Sequence, residues 1–199
     1  MENERGGMPV VAVTGGIAVG KTVMMRYWSS KYEFPIFDTD DIGRDLLLDH
    51  AIKKNIRHIF GSKVFGAEGE VDRLSLQRRI FSNSEEKRAL ESLLHPHIRR
   101  VSQEKIHGIL KKHAYCLVVV PLLYETNTAK NYDRVCLVES ALDQRVRRCF
   151  DRGLSEDVTL AIMHAQASSQ QRMSVSDDVL YNVQDFSFFY KQIDDLYQQ

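Results

Sequence analysis

Residues 15–22 read Gly15-Gly16-Ile17-Ala18-Val19-Gly20-Lys21-Thr22, a fit to G-x-x-x-x-G-K-[ST], and no other segment restricts the possible folds as tightly. The flanks agree with it. Residues 9–14, PVVAVT, form a short β-branched run, and residues 21–31 carry a helix-compatible mix with Met24, Met25 and Trp28. Strand, glycine loop and helix in that order make a phosphate cradle: glycines let the loop fold tightly, so that its N–H groups turn inward, and the helix start adds partial positive charge. Lys21 is placed to reach the β- and γ-phosphates of ATP, and Thr22 offers a hydroxyl to Mg²⁺.

The rest of the chain predicts an α/β fold. The apolar run YCLVVVP, residues 115–121, suits a strand buried on both faces and central in a parallel sheet. Residues 34–37, 133–138 and 179–181 read as further strands, and residues 141–152, 155–171 and 186–197 as helices. Ser155, followed by Glu156 and Asp157, marks one helix start. Residues 44–112 are almost wholly helical, with Ser84-Glu85-Glu86 opening a helix whose apolar face carries Leu90, Leu93 and Leu94. A glycine- and acid-rich loop at residues 61–72 divides that stretch. The expected architecture is a P-loop NTPase core, a parallel sheet flanked by helices, with a helical insertion after its second strand.

Composition excludes several classes. The chain has 199 residues, enough for one domain with a helical insertion or two, and its 27 basic residues balance 27 acidic ones. No overall field recruits nucleic acid or an anionic membrane. The opening MENERGGMP lacks an apolar signal core, and no run approaches the roughly 18 apolar residues of a membrane span, so the expectation is a soluble cytoplasmic protein. Cys116, Cys136 and Cys149 are widely separated and fit reduced core thiols better than a disulfide frame or zinc site.

Three further features bear on chemistry. Asp38-Thr39-Asp40 falls where the second strand ends, the edge at which open α/β sheets collect ligands. One carboxylate there can ready an attacking hydroxyl and another can hold the metal's water shell, while helix capping is the alternative use of both. Arg145, Arg147, Arg148 and Arg152 crowd one helix, which reads either as a lid closing on phosphate or as a solvated basic face. His95-Pro96-His97 interrupts a helical stretch, the proline pushing His95 out of the α conformation into an exposed turn that matches no metal motif.

Taken in order, these pieces resemble the dephospho-coenzyme A kinase family. The likeness is carried by T-G-G-I-x-x-G-K-[ST] at Thr14 to Thr22, D-x-D at Asp38 to Asp40, Phe60-Gly61, and G-x-x-x-R at Gly69 to Arg73. It continues in Leu94-His95-Pro96-His97-Ile98, Pro121-Leu122-Leu123-Tyr124-Glu125, and Asp177-Asp178-Val179-Leu180-Tyr181-Asn182. The resemblance implies transfer of the γ-phosphoryl group of ATP to the ribose 3′-hydroxyl of dephospho-coenzyme A by a monomer or weak homo-oligomer. It implies a core of residues 1–40, 114–140 and 172–199, a coenzyme A-binding insertion at 41–113, and a lid at 141–171. By position, Gly16, Ala18, Val19, Gly20, Lys21, Thr22 and Val23 would bind ATP. Asp40 would be the general base with Asp38 as partner, and Arg147 the lid arginine. Asp38, Asp40, Arg44, His95, Pro96, Leu122 and Glu125 would meet the acceptor, with Mg²⁺ on Thr22 and, through water, Asp38. Departures from the family pattern fall at Ala18-Val19, where a loop demanding positive φ would strain alanine by roughly a kcal/mol. Others fall at Asp151-Arg152-Gly153, a reversal of Arg-Asp-Gly, and at Ile162 in place of an arginine. Two rivals stand beside this reading: a kinase for another small acceptor such as a nucleoside monophosphate, shikimate or gluconate, and a regulator that binds nucleotide without transfer.

Overall fold

The computed structural model describes residues 10–183 and 185–198; residues 1–9, assigned above to the core and in part to its first strand, lie outside the described residues, as does residue 199. The chain divides into two compact units, residues 1–38 with 108–199 and residues 39–107.

The first unit is built on a five-stranded sheet, β1 Val10–Thr14, β2 Ile36–Asp38, β3 Cys116–Val119, β4 Arg134–Glu139 and β5 Asp178–Tyr181. All pairings are parallel and the order is β2-β3-β1-β4-β5. β1 is therefore the middle strand, and the apolar run predicted to be central, β3, stands one place aside. Both strands are paired on each edge and covered on each face, which is why they read as near-continuous Val, Leu, Cys and Ala. Helices α1 Lys21–Tyr32 and α9 Phe186–Tyr197 lay Met24, Trp28, Phe189, Ile193 and Leu196 onto Val13, Leu117, Val119 and Val138. Each such side chain taken from water stabilises the fold by roughly 1.5–3 kcal/mol. Asp194 of α9 accepts hydrogen bonds from Tyr27 and Tyr32 of α1 and pairs with Lys31 at 2.7 Å. Cys116, Cys136 and Cys149 are free and buried.

The second unit contains α2 Thr39–Leu46, α3 His50–Phe60, α4 Arg73–Ser82 and most of α5 Ser84–Leu110. Ile52, Ile56 and Phe60 recur at helical spacing and join Val64, Leu76 and Leu90 in a core of its own. Asp49 and Asp72 cap α3 and α4 by accepting from first-turn amides, and Asn83 does the same for Glu85 and Glu86. The expected loop at 61–72 contains a short 3-10 turn, Ser62–Val64, and a Phe65–Val71 bridge.

Two elements correct the sequence reading. Pro96 makes no turn: it lies inside α5, a helix of 27 residues that runs unbroken past it. Proline removes one intrahelical bond and crowds the preceding turn, a loss of about 3 kcal/mol, and the apolar contacts of Leu90, Leu93 and Leu94 outweigh it. The helix expected over residues 155–171 is two, α7 Glu156–Ala165 and α8 Ser169–Met173. Ser168 starts a new helix because its hydroxyl accepts from Gln171 N while the Gln171 side chain accepts from Ser168 N, a reciprocal capping box.

Candidate active site

β1 delivers the chain into the glycine loop at the sheet's carboxyl edge, and α1 leaves it. Gly20 precedes α1 with φ 113, a left-handed conformation that leaves no room for a Cβ, which would overlap the Asn182 carboxamide. No side chain caps α1 and no acid stands in its first turn, so its N-terminal partial charge is available to an anion. Val23 N and Met24 N donate to Gly20 O, closing the first turn. Lys21 Nζ folds over the loop and donates to Gly15 O at 2.6 Å and Gly16 O at 2.9 Å.

Ala18 takes φ 60. The loop demands the positive angle, and an L-residue loses roughly 1–2 kcal/mol in adopting it. The loop's outer side is held by groups from distant elements. Arg145 and Arg148 come from α6, Leu142–Phe150. Arg145 Nε donates to Ile17 O at 3.0 Å, and Arg148 Nη1 donates to Ala18 O and Val19 O at 3.0 and 3.3 Å. Asn182 Nδ2 donates to Val19 O, and Ile17 N donates to Gln166 Oε1, both at 2.9 Å. Burial, and then each one's arginine neighbour, pushes the Arg145 and Arg148 guanidinium pKa values down. Arg172 is 3% exposed and bonds Glu139 Oε1 through Nη2 at 3.1 Å and Nε at 3.3 Å. A Cβ on Gly16 would lie 2.6 Å from Arg145 Nη2 and 3.3 Å from Arg172 Nη2, so the bare backbone of Gly16 lets two guanidinium groups approach the loop.

Asp38 ends β2 in register with Val119, itself in register with Val13. Two strand spacings, roughly 10 Å, separate its Cα from β1 along the same edge. Glu125, in the turn after β3, accepts from Ala167 N at 2.7 Å, and Leu122 in that turn is 38% exposed. In the second unit Asp40 is exposed in the first turn of α2, and Arg44, four residues on, pairs with Asp41. A Cβ on Gly43 would lie 3.6 Å from Ile98 Cδ1, so α2 packs on the α5 segment that carries exposed His95 and Pro96.

The structure thus gathers Gly16, Ala18, Val19, Gly20 and Lys21 into one loop, with Thr22 at the start of α1. It puts Arg145 and Arg148 against that loop, whereas Arg147 is exposed and donates to none of its carbonyls. Glu139, Arg172 and Asn182 were not read as site residues. Asn182 carried a signal, as the end of a recognisable motif, and Glu139 a faint one, as an acid closing an apolar strand. Arg172 had none.

Metal ions of the Mg²⁺ type prefer hydroxyl, carboxylate, phosphate and water oxygens. The Thr22 hydroxyl and Asp38 carboxylate are donors of that kind on one sheet edge. Among the described residues no cluster of three or more His, Cys, Asp or Glu side chains offers an all-protein cage, and no helix is long and apolar enough to cross a membrane.

Comparison with known proteins gives a consistent result. The family model for dephospho-CoA kinase matches residues 9–187. A dephospho-CoA kinase from Vibrio vulnificus (strain YJ016) is 36% identical over 193 residues, 96% of this chain and 94% of its own. One from Aeromonas hydrophila is 38% identical over 178 residues, 88% and 85% of the two chains. Among solved structures, TT1252 from Thermus thermophilus superposes with a TM-score of 0.85 at 26% identity, covering 96% of this chain and 97% of that one. Shikimate kinase from Acinetobacter baumannii, at TM-score 0.51 and 12% identity over 96% and 92% of the chains, shares the fold alone.

Proposed function

Because the chain belongs to the dephospho-CoA kinase family, we propose that it transfers the γ-phosphoryl group of ATP to the ribose 3′-hydroxyl of dephospho-coenzyme A, giving coenzyme A and ADP. The observation that carries this reading is the loop itself: left-handed Gly20, an uncapped α1 terminus and a lysine folded over it.

The loop amides and the start of α1 hold the triphosphate, and Lys21 neutralises charge on its β- and γ-oxygens. Asp40 orients the acceptor hydroxyl and takes its proton as the oxygen attacks the γ-phosphorus and the bond to the ADP oxygen breaks, with Asp38 as its partner. Thr22 and, through water, Asp38 would hold Mg²⁺, which would supply positive charge to offset the negative charge of transfer. Arg44, His95, Pro96, Leu122 and Glu125 each meet the acceptor, and Arg147 on α6 closes toward phosphate. The enzyme acts in the cytoplasm as a monomer or weak homo-oligomer.

An ADP-release assay with Mg-ATP and alternative acceptors tests the reading. Dephospho-coenzyme A is expected to be the best acceptor. Equal turnover with AMP or shikimate would refute the assignment, and ATP binding with no product from any acceptor would leave a nucleotide-binding regulator.

A further inference from the structure

Arg148 does not point where a phosphate-binding arginine would. Its Nη1 meets two successive carbonyls of the loop, Ala18 O at 3.0 Å and Val19 O at 3.3 Å. In a trans peptide the carbonyl of one residue and the N–H of the next point in opposite directions. Two carbonyls converging on one nitrogen therefore send the Val19 and Gly20 amides to the loop's other face. The guanidinium is itself fixed: Nη1 donates to Ser140 Oγ at 3.0 Å and Nη2 to Gln144 Oε1 at 3.3 Å. Ser140 Oγ in turn donates to Asn182 O at 2.7 Å, and Gln144 Nε2 to Val183 O at 3.1 Å. Asn182 Nδ2 adds a second donor to Val19 O at 2.9 Å. The same contacts hold Ala18 at φ 60, an angle that alanine leaves when nothing restrains it.

We propose that Arg148 is a positioning residue for phosphoryl transfer: it gathers the Ala18 and Val19 carbonyls at one nitrogen and so presents the Val19 and Gly20 amides to the nucleotide's phosphates. It acts through the backbone, without touching the nucleotide. This rests on the reading above only in taking the loop as the phosphate site.

The test is calorimetric titration of the full-length chain with Mg-ADP, without acceptor, so that a chain unable to phosphorylate dephospho-coenzyme A still reports on Arg148. Arg148→Met is expected to weaken binding tenfold or more. Arg148→Lys keeps the charge but cannot hold the carbonyl pair from a forked anchor, and is expected to lose nearly as much. Adding Ala18→Gly to Arg148→Met should recover part of the loss, because glycine keeps the left-handed angle without restraint. In turnover the KM for ATP should rise while that for the acceptor holds. Lysine performing as well as arginine would reduce the residue to a charge and overturn the proposal, as would unchanged binding in Arg148→Met. Circular dichroism checks the fold; should the methionine variant fail to fold, the lysine variant alone decides.

Discussion

Glu139 and Arg172 form an ion pair whose side chains are 7% and 4% exposed, immediately behind the phosphate loop. Removing the carboxylate by Glu139→Ala strands a guanidinium that keeps the carbonyl of Ala167 but loses its counter-charge while facing Arg145. Breaking a buried pair from one side is worth about 3–5 kcal/mol, set against a total stability of roughly 5–15 kcal/mol. At this length each kcal/mol moves the melting temperature by about 2–4 °C, so the variant should melt about 6–20 °C below its parent in a calorimetric or fluorescence scan. Glu139→Gln sharpens the test. Both Arg172 bonds go to the single oxygen Oε1, so a glutamine oxygen can keep the geometry and lose only the charge, with roughly half the drop. An apolar double variant, Glu139→Leu with Arg172→Met, should recover most of the stability, since replacing both partners avoids a stranded charge. An alanine variant melting within about 2 °C of the parent would refute the reasoning.

Three further outcomes are expected. Lys21→Ala and Asp40→Asn should each cut turnover by about a hundredfold or more, with Asp38→Asn less harmful; an intact Asp40→Asn and a dead Asp38→Asn would reverse the two acids' roles. Gly20→Ala should abolish nucleotide binding in a titration, because its Cβ overlaps Asn182 and its φ of 113 disfavours any side chain. Asp194 is opposed by its own desolvation, but hydrogen bonds from Lys31, Tyr32 and Tyr27 outweigh this and hold its pKa below the ordinary aspartate range. A depressed carboxylate stabilises the fold above its unfolded pKa, so that part of the stability is lost as pH falls below about 4 toward the lowered folded value. Denaturation of Asp194→Asn across pH 3–7 should show a flatter acid limb than the parent.

What could be read from the residues followed the range of the forces involved. Strand, glycine loop and helix around Lys21 are encoded locally, and so are the apolar strands β3 and β4, whose burial on both faces leaves an uninterrupted hydrophobic run. The order of strands is a property of crossovers, which is why β3 read as central and β1 took that place. Pro96 misled because a local steric rule was set against packing along a helix of 27 residues. The break at Gln166 was hidden in side-chain capping by Ser168 and Gln171. Arginine density on α6 was plain, but which arginine meets the loop depends on helix phase: Arg145 and Arg148, three residues apart, share a face that Arg147 does not. Arg172 and Asn182 reach the loop from 156 or more residues along the chain; Asn182 is marked only as the end of a motif, and no local pattern points to Arg172.

The three interior cysteines make the fold its own stopwatch. Exclusion from water pushes the Cys116 thiol up to about 11 and that of Cys136 higher still, so at neutral pH almost none of either exists as the reactive thiolate. An alkylating reagent can reach Cys116 in β3, Cys136 in β4 and Cys149 in α6 only while the surrounding layer is open. Labelling speeds therefore measure how often each layer parts: one shared speed would mean the sheet and α6 separate together, and a faster Cys149 would mean that the helix behind the loop breathes while the sheet stays shut.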